Sequence, residues 1–417
     1  MIYAVHLAIS RPARKVPVVA SRNDRIIVVG AGPVGLTAAL ALGRRGIATV
    51  LLASEPELLM ELRGSTFHPP TLDLLDEFDI VPRMIEAGLK APTWQFRDRE
   101  TGPVATFDLS LLAGDTGHPY RVQCEQWKLM QFLHEKLRKL AGADIRFGHE
   151  VVGVRQEDEG VTVIAATASG PVELTGRYVI GADGARSTVR RAAGIEFEGY
   201  TYPELFLVAS TAFRFEEKLT DIAYINYIAD PHEWLVLLRV PELWRVLVPA
   251  AQNADHDTLL SDDWLQGVLN RVSARVERYE IVHRSIYQVH QRVAKNFRHG
   301  RIVLAGDAAH INNPLGGMGM NGGIQDAFNL ADKFKQIWAG ADETLLDRYH
   351  RQRRTVAIEA VQQQTHRNQQ IISERDPQTR RKSLDAMRRI GADPNAAREY
   401  LLNSSMIASM RRAAQIE

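Results

Sequence analysis

Three glycines spaced as Gly30-x-Gly32-x-x-Gly35, with Pro33 and Val34 between the last two, suit a backbone that meets a phosphate. The first glycine permits a tight turn, and the second lets the chain approach a pyrophosphate. The third lets a helix pack close to a strand, and the helix N-terminus adds a positive field. The flanks agree. Arg25-Ile-Ile-Val-Val-Gly30 reads as a buried parallel strand, Leu36 to Arg45 as an Ala- and Leu-rich helix, and Ile47 to Ala53 as a second strand. Arg44 and Arg45 suit the negative end of the helix, and Gly46 can stop it. A βαβ unit therefore starts at residue 25. This fingerprint expects a carboxylate about 20 residues on, to hold a ribose hydroxyl. Ala53 stands there, so either Ser54 or Glu55 substitutes with a different geometry or the adenosine end is weakened.

Two later blocks have the same character. Gly181-Ala-Asp183-Gly184-Ala-Arg-Ser-Thr-Val-Arg190 follows the apolar run Tyr178 to Ile180. Arg301-Ile-Val-Leu-Ala-Gly306-Asp307-Ala-Ala-His310 brings a strand to a glycine and a carboxylate, and Asn313-Pro-Leu-Gly-Gly-Met-Gly-Met-Asn321 leads into a helix starting near Asn321. With these three blocks in this order, the chain from about Arg25 to about Ala357 resembles the class A flavoprotein monooxygenases, the family of p-hydroxybenzoate and phenol hydroxylases.

The resemblance implies FAD as resident cofactor and NADH or NADPH as a transient co-substrate with no domain of its own. It implies FAD contacts at Gly30, Gly32, Pro33, Val34 and Gly35, at Ala53 and Ser54, at Arg63 near the pyrophosphate, and at Gln123 and Asp183. Gly306 and Asp307 follow, with the Asp307 carboxylate accepting from the ribityl chain. Gly317, Gly319, Met320 and Asn321 complete the set, where a glycine-rich backbone lies against the flavin ring and a helix N-terminus stabilises negative charge on it. Pro314 falls beside substrate and ring. Relatives usually read Gly-Gly-Gln-Gly-Met-Asn and carry a second proline before the first; here Met318 replaces the glutamine and Asn313 the proline.

The implied reaction is reduction of FAD by NAD(P)H, formation of a flavin C4a-hydroperoxide with O2, and oxygen transfer to an activated aromatic or N-heteroaromatic ring. The protein orients the ring and excludes water. Two other readings stay open: an FAD oxidoreductase of the same fold that does not hydroxylate (epoxidase, halogenase or reductase), and a flavin-poor binding protein, which Ala53 and Met318 would suit. Relatives bind substrate over the sheet of the second domain, here about 200–250. His232, with an ordinary pKa of ~6.5, is the titratable candidate for a base, or a turn residue after Asp230-Pro231. Arg239 or Arg245 could hold a substrate carboxylate in a bidentate pair, or be plain strand positions. Tyr202, Tyr224, Tyr227 and Trp234 read as core or sheet-face residues, and His310 as structural.

The frame for these sites is an α/β chain: a discontinuous Rossmann-like FAD-binding domain, a second, mostly β substrate domain and a helical C-terminal region. The expected divisions are an N-terminal extension at 1–24, an FAD domain at 25–90 with 120–185 and 286–340, a β-rich domain at 91–119 with 186–285, and helices at 341–417. Glu125 to Leu140 reads as an amphipathic helix. Glu150 to Val154, Val161 to Ala166 and Val172 to Ile180 read as an antiparallel meander, and Thr201 to Ala250 as mostly β. Ile324 to Ile337 reads as a helix, and Arg348, Arg351, Arg353 and Arg354 as one solvated helix face.

Composition sets outer limits. The chain has 417 residues, 45% hydrophobic and 24% charged, enough for a sizeable core and about two to three domains. Lys+Arg 51 against Asp+Glu 50 gives a net charge of +1, which argues against a nucleic-acid or membrane-surface partner. The single Cys124 excludes an intrachain disulfide and multi-cysteine metal sites, and fits a reducing, cytoplasmic setting. No metal-binding spacing occurs. The uncharged run Ile26 to Gly43 approaches the length of a membrane span, but its glycines and Pro33 divide it into strand, turn and helix. The motifs carry no signal for oligomeric state.

Overall fold

The run Ile26–Val29 is buried at every position, as befits a strand covered on both faces, and it forms the centre of a six-stranded sheet. It pairs in parallel with Thr49–Leu52 and with Tyr178–Gly181; Ala143–Arg146 and Ile302–Leu304 extend the sheet at either side, and Arg298–His299 closes one edge antiparallel. The structure is a computed structural model that describes residues 24–417; the expected extension lies outside the described residues up to position 23.

The first helix spans Pro33–Arg44, three residues earlier than the sequence suggests, because proline at its first position presets the helical φ and Gly32 serves as N-cap. Across it lies the long helix Gly319–Trp338, which starts before the expected Ile324. Its early glycines are poor helix formers, but a Cβ on Gly323 would lie 2.5 Å from Val34 Cγ2 and 2.9 Å from Gly306 Cα. Close approach outweighs propensity there.

The expected run Val172 to Ile180 is two strands. Gly170–Gly176 ends the antiparallel meander with Val161–Thr167 and Glu150–Gln156, and after Arg177 the chain enters the parallel sheet as Tyr178–Gly181. A Cβ on Gly176 would stand 3.0 Å from Ile27 Cγ1, so the glycine marks where the chain crosses between sheets.

A second sheet has eight strands, ordered His310–Ile311, Ile281–Ala294, Phe197–Thr211, Trp244–Ala251, Leu235–Arg239, Ile225–Ala229, Thr93–Asp98 and Gly102–Asp108. Ile281–Ala294 is continuous and stays paired with Phe197–Thr211 to its end, so the division drawn at residue 286 falls inside a strand. Alternation sorts the faces: Phe206 and Val208 meet Ile372, Leu384 and Leu401 of the C-terminal helices, while Leu207 and Ala209 meet Leu265 and Leu269 of the helix Asp262–Val272.

The C-terminal segment is helical, with Asp376 and Asp393 capping Pro377–Ala392 and Pro394–Ser404. The arginine cluster does not form one solvated face. Arg348 and Arg351 bond to the chain's end at Ile416 and Glu417 and Arg354 pairs with Glu198, but Arg353 is 3% exposed and turns inward to the buried Asp326. Among the described residues no helix is long and apolar enough to cross a membrane.

Candidate active site

Gly30 ends its strand with φ 105°, in the region that favours glycine; a Cβ there would lie 2.4 Å from Ala182 O, and one on Gly35 would lie 1.8 Å from Gly30 O. Gly32 differs. Its φ of −72° suits any residue, and a Cβ on it would meet nothing within 4 Å. No side chain caps the helix behind it, and no acidic residue sits in the first turn. Free backbone donors, a positive dipole end and open space are what a phosphate group requires. Farther on, Ala53 is buried with its N–H donating to Arg146 O at 2.9 Å, and the Ser54 hydroxyl donates to Glu55 Oε2 at 2.8 Å.

The strand Ile302–Leu304 delivers Gly306 and Asp307. The Gly306 N–H donates to Asp326 Oδ2 at 2.9 Å, and the Val34 side chain fills the space against Gly306. Asp326 Oδ2 also accepts from His310 Nε2 at 2.8 Å, while Oδ1 pairs with Arg353 Nε. Burial opposes the ionised form of Asp326, but Arg353 and His310 outweigh it and hold the carboxyl below its usual range. His310 is thus structural, stacked on Phe297. The Asp307 side chain is exposed; desolvation by the surrounding protein raises its pKa, partly offset by His310 and Arg63.

The loop after His310 turns on two left-handed glycines, Gly316 (φ 115°) and Gly317 (φ 67°). Pro314 is half-buried, its carbonyl accepting from Gly317 N–H at 3.0 Å. The Asn321 side chain is a clamp: Nδ2 donates to Thr66 O and Gly317 O at 2.8 and 2.7 Å, and Oδ1 accepts from His68 N–H at 2.9 Å. Gly319 opens the helix, and Met320 sulfur lies 3.5 Å from where a Gly64 Cβ would be. Met318 turns the other way, buried against Val361 and Met406, so the position where relatives carry glutamine packs the C-terminal helices here.

Arg63 is exposed and paired with Glu61. Gln123 is fully buried; its Oε1 accepts from Thr66 Oγ1 at 2.8 Å and its Nε2 has no acceptor in the protein. Asp183 caps the helix Thr188–Ala192 through Oδ2, at 2.7 Å from Thr188 N, and its buried Oδ1 has no donor. These two orphaned polar atoms, the open space at Gly32 and the exposed Asp307 fit an extended dinucleotide.

The sequence candidates for substrate contact lie on strands of the second sheet and the turn between them. His232 is exposed on the turn between Ile225–Ala229 and Leu235–Arg239, its N–H donating to Asp230 Oδ1 at 2.8 Å. Arg239 donates to Val240 O and stands 3.6 Å from Glu216. Arg245 straps the sheet to the segment before Ser65, donating to Leu62 O at 3.0 Å and to Arg63 O. Trp94, Phe96, Tyr227 and Tyr400 line a small cavity together with Arg121, Gly316 and residues of the C-terminal helices. Trp94 and Tyr227 meet edge to face at 5.6 Å between centroids. Of the aromatics read as core or sheet-face residues, Tyr227 is therefore also a cavity wall. Sequence reading missed Arg121, which opens the short buried strand Arg121–Gln123 and, beside Gln123 in a run of only three residues, carries no sequence signal that sets it apart.

Residues 24–364 match the family model described as an FAD binding domain. The chain is 34% identical over 398 residues to para-nitrophenol 4-monooxygenase of Pseudomonas sp. strain WBC-3, covering 93% of this chain and 97% of that one. It is 34% identical over 354 residues to 6-hydroxy-3-succinoylpyridine 3-monooxygenase of Pseudomonas putida, covering 82% and 87%. The crystal structure of p-nitrophenol 4-monooxygenase from Pseudomonas putida DLL-E4 superposes with a TM-score of 0.88 at 32% identity, covering 94% of this chain and 98% of that one. With the glycine fingerprint, the Asp183 block and the Gly306-Asp307 block in this arrangement, the chain belongs to the FAD-binding class A flavoprotein monooxygenases.

Proposed function

We propose that the protein is an FAD-dependent monooxygenase that uses NADH or NADPH and O2 to hydroxylate an activated aromatic ring, a phenol or an N-heteroaromatic alcohol. The observation that carries this reading is the aromatic-walled cavity against Gly316, on the same loop that leads into the helix Gly319–Trp338. The relatives named above for nitrophenol and a hydroxypyridine support the ring class. One oxygen atom of O2 enters the ring and the other leaves as water, with NAD(P)H supplying two electrons.

The flavin, bound in the groove, supplies hydride acceptance and oxygen activation. The chain's own residues do the rest. Gly30, Gly32, Pro33, Val34 and Gly35 present the backbone and helix end to the pyrophosphate, with Arg63 beside it; Ala53 and Ser54 border the adenosine end. Asp307 would accept from the ribityl chain, Gln123 Nε2 would donate to the cofactor, and Asp183 would border the groove. Gly306, Gly317, Gly319, Met320 and Asn321 would present backbone to the flavin ring, and Pro314 would lie beside ring and substrate. Trp94, Tyr227 and Tyr400 hold the substrate flat and keep water out. The buried Cys124, its thiol pushed up to about 12 by burial, is no nucleophile at neutral pH and suits a cytoplasmic enzyme.

The test is the visible spectrum of the purified protein, followed anaerobically with NADH or NADPH and then in air with 4-nitrophenol. A flavin spectrum that bleaches, with O2 consumption matched to hydroxylated product, is the expected result. Oxygen consumption that yields only peroxide across a panel of phenols and hydroxypyridines favours the non-hydroxylating oxidoreductase, and a protein that FAD cannot reconstitute sinks the reading.

A further inference from the structure

Two helices meet through a polar seam. On Gly319–Trp338, positions 329, 332, 333 and 336 recur at the spacing of one helix face, and on Leu345–Val356 so do 345, 348 and 352. At a packed contact that spacing ordinarily carries apolar side chains. Here Asn329 and Lys333 face Arg348 and Gln352 across a cavity of about 210 Å³, with the exposed Asp332 and Gln336 at its rim. Lys333 is only 7% exposed, yet it lines that cavity. Its Nζ donates to Asn329 Oδ1 at 2.6 Å and to Gln352 Oε1 at 2.8 Å, both neutral amide oxygens. Among the described residues no carboxylate forms an ion pair with it; Asp332 next to it in sequence is taken by Arg45 Nη2 at 2.7 Å. Two acceptors match the two N–H groups of a neutral amine and leave its lone pair free. Arg348 keeps Nε on Ile416 O at 3.1 Å and Nη2 on the exposed Glu417 at 3.1 Å, a surface pair worth little. Burial, and then the Arg348 charge, lowers the amine to about 8 against the opposing pull of Asp332.

A buried ammonium without a counter-charge is unfavourable, and the guanidinium that repels it attracts an anion in the same place. An unprotonated lysine amine is also a nucleophile. We infer that Lys333 is a carbamylation site: its amine adds to CO2, and Arg348 holds the carbamate that forms. The nitrogen lone pair makes the new N–C bond, one C=O bond opens to place its electron pair on oxygen, and one N–H proton leaves to solvent. CO2 is the only co-reactant, and nothing is oxidised or reduced. The carbamate N–H still serves one amide oxygen, and the other amide can turn its NH2 group toward the new carboxylate. The modification replaces an unpaired amine by an ion pair that spans both helices, so CO2 stabilises the folded protein by mass action. No residue of the glycine fingerprint or of the loop around Gly316 lines this cavity, so the inference stands apart from the hydroxylase reading.

The probe is isotopically labelled bicarbonate with its dissolved CO2, added to the holoenzyme at pH about 8, where half of the amine is unprotonated. Triethyloxonium then converts any carbamate to a stable ester, which peptide mass spectrometry locates. The labelled ester is expected on Lys333, while the exposed Lys295 and Lys382 stay unmodified. Purging CO2 should remove it and lower the unfolding temperature. Arg348→Gln should cut its occupancy by roughly tenfold, and Lys333→Met should lose both the ester and the CO2 dependence of unfolding. An unmodified Lys333 in the wild type overturns the assignment. So does equal labelling of the exposed lysines, or label that the protein retains but triethyloxonium does not trap on Lys333, which means a bound bicarbonate ion only. An Arg348→Gln variant with the parent's occupancy overturns the role given to Arg348. Should Lys333→Met not fold, the wild-type peptide map decides alone.

Discussion

Replacing Gly32 with valine distinguishes a cofactor cradle from a turn that merely needs glycine. The protein offers no steric objection, since a Cβ at this position meets nothing within 4 Å and φ −72° with ψ −179° suits a β-branched side chain. A larger residue at a compatible glycine position stabilises by about 0.4–1 kcal/mol through the unfolded chain, and an apolar residue in place of glycine at an N-cap costs a similar amount. Unfolding of the apo-protein in urea, followed by circular dichroism, should therefore change by less than about 0.5 kcal/mol. FAD affinity should collapse. The valine methyls occupy the space through which a pyrophosphate reaches the backbone N–H groups, and losing two charge-assisted hydrogen bonds of ~1.5 kcal/mol each raises Kd by roughly a hundredfold. Gly35→Ala is the control. Its Cβ would fall 1.8 Å from Gly30 O, so it should lose about 1–3 kcal/mol of stability by overpacking. A Gly32→Val protein that binds FAD like the parent in a fluorescence titration refutes the phosphate-cradle assignment.

Asp307→Ala should lose most bound FAD while the apo-protein unfolds within about 0.5 kcal/mol of the parent, because the carboxylate is exposed; full flavin occupancy after purification would refute its role. Arg353→Met leaves Asp326 without its main counter-charge and should cost about 3–5 kcal/mol in urea, whereas adding Asp326→Leu should recover part of that loss; strict additivity in the cycle would be inconsistent with the pair. The carboxyl of Asp326 is held below its usual range, so its contribution is present above the ordinary carboxylate pKa of ~3.9 and is lost as pH falls through the folded value. Asp326→Asn should accordingly flatten the acid limb of the stability profile. Lys333, enclosed by Asn329 and Gln352, has its amine lowered to about 8 by burial. Its unfolded form binds more protons above that value, so stability should rise from about pH 8 toward 10.5, and Lys333→Met should abolish the rise.

Local chemistry fixed a good deal of this protein. Glycine spacing between an apolar strand and an Ala-rich helix dictates the phosphate-facing turn wherever it occurs, because the steric demands at Gly30 and Gly35 are set by atoms within a few residues or on the adjacent strand. The same holds for the strands that carry Asp183 and Asp307 and for the caps at Asp376 and Asp393. Tertiary structure decided the charged residues. Arg239, Arg245 and Arg353 are indistinguishable in sequence from surface arginines, yet one meets Glu216, one straps the sheet to residues 62–65 and one neutralises a buried aspartate. His232 suits a base only by the intrinsic pKa of its residue type, and the fold leaves it exposed on a turn. Arg121 meets Trp94, Tyr227, Tyr400 and Ser404 only because strands and helices far apart in the chain converge on it. Periodicity tells which face a residue occupies, whereas the free energy of a charge depends on everything within several ångströms of it, and only the folded chain brings those neighbours together.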